Sequence, residues 1–168
     1  MKSEKEYIVP FIGLKLGIHE FEFEIHDAFF EAREYSIIQS GNVKVALLLE
    51  KKETMLVGNF TLTGFVTSMC DRCNDVIEVP VKGNFRLVYK FGLEISDDES
   101  LIVLHPDSYE IDLRDTLYEF ITISLPTKIV HPQGACNPEM LELLDKYLLQ
   151  NENGDELDEE DDDWDEEE

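Results

Sequence analysis

Long apolar runs are missing from this chain. No stretch reaches the about 18 consecutive apolar residues of a membrane-spanning helix. The opening MKSEKEYIVPFIGLKLG is broken by Pro10, Gly13 and Lys15, and no small-residue cleavage site follows, so it does not read as a signal peptide. The expectation is a cytoplasmic protein. Cysteine is scarce as well. Three cysteines in a reducing compartment do not make a disulfide framework, so burial or metal ligation must account for them. Basic residues are few, 14 against 38 acidic ones, for a formal net charge of −24. A polyanion gains nothing from the counterion release that drives general nucleic-acid affinity. Naked nucleic acid is therefore disfavoured as a ligand, and a basic protein partner fits better. Also missing are GxSxG, a P-loop and GxGxxG. The many carboxylates single out no catalytic pair, so no enzyme is expected.

What is present divides into a body, residues 1–150, and an acidic tail, 151–168. The tail holds 13 of the acidic residues and no Lys or Arg, leaving 25 acids against 14 bases in the body. Without apolar periodicity the tail cannot offset the entropy of ordering and is predicted to be disordered. In the body, Phe21, Phe23 and Ile25 alternate with glutamates, as in a half-buried strand. A short helical turn within AFFEAREYSIIQSGN precedes a strand presenting Val43, Val45, Leu47 and Leu49. Residues 51–53 read as a hairpin tip. The next strand sets Leu56, Phe60, Leu62 and Val66 against Thr61, Thr63 and Thr67; after Cys73, Ile77, Val79, Val81, Phe85, Leu87 and Tyr89 resume the alternation. Gly92–Ser100 reads as a polar, mobile loop. Two helices follow. Asp112 caps the first, which buries Leu113, Leu117, Phe120 and Ile121 and stops at Pro126. Asn137-Pro138 opens the second, whose apolar side is Met140, Leu141, Leu144, Tyr147 and Leu148. The fold class is α+β: an antiparallel sheet or partial barrel with two C-terminal helices.

The residues with chemistry are Cys70 and Cys73, spaced C-x2-C at the turn between two strands. Two thiolates at this spacing reach one tetrahedral ion. The other half is His131 and Cys136, an H-x4-C separated from Cys73 by 57 residues, with Pro, Gln, Gly and Ala between its ends. Together these four make a candidate zinc site. All four positions would be protein ligands, leaving no open position for catalysis. The bland alternative is three ordinary thiols and a surface histidine. A redox C-x2-C is the third option, but redox pairs favour a helix N-terminus beside a βαβ pattern. His19, His26 and His105 have no partner at ligand spacing. Arg72, inside the knuckle, is a surface arginine or a contact for a partner's phosphate or carboxylate. Trp164, the only tryptophan, is inert or an aromatic anchor on a basic partner.

The order of these motifs resembles the YceD family, described as large-subunit ribosomal RNA accumulation proteins. The resemblance rests on the C-x-R-C knuckle at Cys70, Arg72 and Cys73. It continues in Ile111, Asp112, Leu113, Glu119, Leu125 and Pro126 of the following helix, and in His131 and Cys136 of a later loop. It covers about residues 10–150, and many members have cysteine where this chain has His131. The resemblance implies a role in 23S ribosomal RNA accumulation and large-subunit biogenesis, beside a basic ribosomal protein or a pre-large-subunit particle. Two alternatives come from other classes: a thiol- or metal-dependent enzyme centred on Cys70 and Cys73, and a generic acidic chaperone for basic proteins. One prediction needs only the sequence. Truncation after Gln150 is expected to leave the thermal midpoint within about 2 °C of the full chain, as read by circular dichroism. A fall of several degrees would show that the tail packs on the body.

Overall fold

The computed structural model describes residues 6–132 and 134–152. The tail beyond residue 152, with Trp164, lies outside the described residues. Five strands form one sheet in the order β2 (Gly17–Ile25), β3 (Ser40–Lys51), β4 (Met55–Met69), β5 (Val76–Phe91), β6 (Leu101–Leu104). The first four pair antiparallel, and β6 joins β5 in parallel. Two three-residue strands, β1 (Ile8–Pro10) and β7 (Glu110–Asp112), pair antiparallel as a separate ribbon. The helices are α1 (Asp27–Glu31), α2 (Arg114–Ser124) and α3 (Pro138–Glu152). The α+β class read from the sequence holds. The partial barrel is not seen, because no ladder joins β2 to β6 among the described residues. Strands β1, β6 and β7 are too short to carry an alternating pattern, and the sequence reading did not find them.

The period-2 pattern explains the core. Val43, Val45, Leu47 and Leu49 of β3 are buried beside Leu56, Phe60, Leu62 and Val66 of β4 and Val79, Val81, Leu87 and Tyr89 of β5. Each such side chain contributes about 1.5–3 kcal/mol when taken fully out of water. Leu117, Phe120 and Ile121 of α2 close the core over this face. The Phe120 ring stacks on Phe85 at 4.3 Å and meets Phe60 edge-on at 5.0 Å. On the other face Lys44, Thr61, Thr63, Lys82 and Arg86 are exposed. The N-cap of α2 is Leu113, without a side-chain cap bond, and not Asp112 as expected; Asp112 ends β7 one residue earlier, and its Oδ1 accepts the Arg114 backbone N–H at 3.0 Å.

The β4–β5 hairpin is long and keeps one register from Met55↔Lys90 to Met69↔Val76, with no bulge. It closes through residues 70–75, the loop that carries both knuckle cysteines. Near that end β3 and β4 approach closely. Gly64 has φ +153°, and a Cβ there would stand 2.1 Å from the Asn42 carbonyl oxygen and 2.7 Å from Val43 Cα. The backbone itself blocks a side chain at this point, and the dihedral disfavours one as well. Gly64→Ala is therefore expected to destabilise the fold by about 2 kcal/mol or more. The check is a thermal midpoint lower by roughly 5–10 °C.

Candidate metal centre

The knuckle turns because Asn74 adopts a left-handed conformation, φ 60°, which Asn tolerates better than most residues. Its N–H donates to the Cys70 carbonyl at 2.9 Å, and the Cys70 N–H donates to the Asp75 carbonyl at 2.8 Å. These bonds leave both cysteine side chains on one side of the loop. The segment after α2 is brought to the same place by a two-bond clamp. The Asp71 N–H donates to the Ile129 carbonyl, and the Ile129 N–H donates to Asp71 Oδ2, both at 2.7 Å. His131 and Cys136 follow directly.

The four residues named from the sequence converge. One ligand atom from each of Cys70, Cys73, His131 and Cys136 lies within 4.8 Å of all the others. Cys70 Sγ and Cys136 Sγ are 3.9 Å apart, and His131 Nδ1 is 3.3 Å from Cys73 Sγ and 3.8 Å from Cys136 Sγ. Bond lengths of about 2.3 Å to sulfur and 2.0 Å to nitrogen put the corners of a tetrahedral site roughly 3.5–3.8 Å apart. The observed separations lie close to that spacing, so the residues fit a metal ion. His131 Nε2 stands 3.2 Å from the Val76 carbonyl. Donation from Nε2–H to that oxygen leaves the Nδ1 lone pair facing the thiols, as a ligating imidazole requires.

The thiols are free and buried, Cys70 at 2%, Cys73 at 1% and Cys136 at 6% exposure. Ile77, Val130, Met140 and Leu141 pack around them. Burial pushes the Cys70 thiol up, but hydrogen bonds from the backbone of Cys73, His131 and Arg72 and from the Cys73 side chain bring it down to about 6. Burial, then hydrogen bonding and charge from Cys70 and Cys73, raise the Cys136 thiol. Burial lowers the His131 imidazole, and hydrogen bonds with Cys70, Val76 and Cys73 more than reverse this, so the net shift is upward. Cys70 thus forms a thiolate more readily than Cys136 does. Arg72 is half-buried, its Nη1 lying 4.0 Å from Cys136 Sγ. The remaining histidines sit elsewhere: His19 against the Lys15 carbonyl, His26 beside Glu24 and His105 beside Asp107.

Three contributors escaped the sequence reading. Asp71 stands between the cysteines, and only its clamp to Ile129 shows what it does. Asn74, directly after the second cysteine, could have been marked by its tolerance of positive φ. The Val76 carbonyl carries no sequence signal at all.

Fold and site together define a small α+β protein whose hairpin tip is pinned to a later segment through a Cys3His cluster. A family model described as "Large ribosomal RNA subunit accumulation protein YceD" matches residues 58–166, more than half of the chain. The chain belongs to the YceD family. The match includes all four cluster residues and begins within β4, so β1, β2, α1 and β3 precede it; it runs further into the acidic C-terminal segment than the resemblance read over 10–150. No curated protein and no solved structure matches the chain.

Metal binding must displace protons from Cys136 and His131, whose protonated forms are favoured in the free cluster. The affinity for a soft divalent ion is therefore expected to fall as pH drops from about 8 to about 6. Competition titration with a chromophoric chelator checks this. In the same assay Cys136→Ser should weaken binding by more than the about 10- to 100-fold typical of losing a group that only supports a ligand.

Proposed function

We propose that this chain is a non-enzymatic accessory factor for 23S ribosomal RNA accumulation and large-subunit biogenesis, acting in the cytoplasm. The observation that carries the reading is the family match over residues 58–166, which spans the knuckle, α2 and the His131/Cys136 segment. Among the described residues no helix is long and apolar enough to cross a membrane.

The ion we assign to the cluster is zinc. Three thiolates and one imidazole are soft and borderline donors in a tetrahedral set, the combination that structural zinc prefers. When bound, zinc supplies folding energy and offers no open position to a substrate. The residues divide the work. Cys70 and Cys73 present two sulfurs from the hairpin tip, and His131 and Cys136 close the set from the later segment. Asp71 holds that segment in register, and the Val76 carbonyl fixes the imidazole's orientation. We assign residues 1–150 to the domain and 151–168 to an acidic tail, whose first two residues still belong to α3.

The partner is a basic ribosomal protein or a pre-large-subunit particle. The formal charge of −24 supports this, because it attracts cationic surfaces and opposes bare RNA. Arg72 and Trp164 are the local contacts we assign to that partner: a cation beside the knuckle and an aromatic among acids. Deleting the gene is expected to lower mature 23S ribosomal RNA and free large subunits while leaving 16S ribosomal RNA less affected, as measured by gradient profiles and blotting. An unchanged 23S level would refute the assignment.

A further inference from the structure

The third helix carries an apolar stripe that the body covers only at its first turn. Asn137 Oδ1 accepts the Glu139 N–H at 3.0 Å and starts the helix. Met140 and Leu141 then pack on the cysteine cluster. Leu144, Tyr147 and Leu148 continue the same face at helical spacing, yet they are 37%, 66% and 62% exposed. The apolar side read from the sequence is there, but the body covers only its first two residues. A 15-residue helix has marginal stability in water by itself. A partner on the stripe would remove its apolar area from water and stabilise it.

The charge around the stripe selects the partner. Asp145 flanks the stripe one turn after Leu141, Glu139 and Glu142 lie further round the helix, and from residue 138 to the end the chain has 16 acidic residues and one base, Lys146. A second copy would bring two such acidic segments together. RNA or an anionic bilayer would meet the same repulsion. A basic protein segment with its own apolar face satisfies both properties, seating Leu144, Tyr147 and Leu148 while its Lys and Arg face the flanking carboxylates.

We propose that the exposed stripe of α3 is the docking surface for such a basic segment; the proposal rests on the assembly-factor reading and names its contact face. The cysteine cluster supports the helix from below, since Cys136 lies two residues before Pro138 and Met140 and Leu141 rest on the thiols.

The test uses the full chain and pre-large-subunit particles isolated from cells. A benzophenone side chain replaces Leu148 in one sample and, as control, Thr61 on the open sheet face in another. Crosslinks from position 148 to basic ribosomal proteins, unaffected by ribonuclease and exceeding those from position 61, support the proposal. Crosslinks to RNA, to a second copy, or no more than the control overturn it. In parallel, the Tyr147→Ser/Leu148→Ser double variant is expected to co-sediment with the particles at least about tenfold more weakly, as loss of apolar anchors implies. Its thermal midpoint and metal content should stay unchanged. A lowered midpoint would place the stripe against the body and overturn the docking face, as would wild-type-like sedimentation. If the wild-type chain itself fails to co-sediment, the assembly-factor reading falls and the docking proposal falls with it; retention of the variant by particles that bind wild type removes the docking face alone.

Discussion

The tip of the β4–β5 hairpin and the segment after α2 meet through the paired Asp71–Ile129 hydrogen bonds. The described residues that follow α2 run on from that contact toward the cysteine cluster. Closing a loop of this length costs entropy that two hydrogen bonds of about 1 kcal/mol each offset only in part. The core packing of α2 against β5 supplies the rest, because it holds the preceding helix against the same hairpin. The cluster is thus a seal on a contact that the hydrophobic core has prepared. These contacts explain why the four ligand atoms share one neighbourhood although the sequence separates them into two pairs.

Strands with one solvated face were legible because their alternation is dictated by burial. Phe23 and Ile25, Val43, Val45, Leu47 and Leu49 of β3, and Leu56, Phe60, Leu62 and Val66 of β4 are buried where the pattern put them. The knuckle's place between two antiparallel strands followed from the patterns on either side of it. The four candidate ligands were legible because so few soft donors exist in the chain. Other features depend on tertiary context alone. The three-residue strands β1 and β7 are defined by each other and by no pattern of their own. The parallel docking of β6 depends on where the 92–100 loop returns the chain. On α3 the apolar spacing was real, but periodicity reports which face is apolar and not whether anything covers it.

The charge distribution has a matching logic. The open face of the sheet pairs unlike charges across strands, Lys44 lying opposite Glu24. Lys51 sits at the end of β3 with its Nζ donating to the Phe11 and Leu14 carbonyls at 2.9 and 2.8 Å, tying down the segment that follows β1. Several of the few cations are therefore engaged within the fold: Arg33 bonds Asp115 and lies over the Tyr118 ring. The acid excess accumulates elsewhere, along α3 and beyond.

The sheet ends at β2 on one side, and that strand has no neighbour beyond it among the described residues. An unpaired strand is a template for adding another chain's strand, the first step toward fibrils. Here the alternate positions Glu20, Glu22 and Glu24 line the edge with carboxylates. A second molecule arriving edge to edge would set its own glutamates against these, at the roughly 5 Å spacing of paired strands. The same residues that make β2 half-polar therefore also disfavour edge-to-edge pairing of two copies, a repulsion that salt, by screening, would weaken.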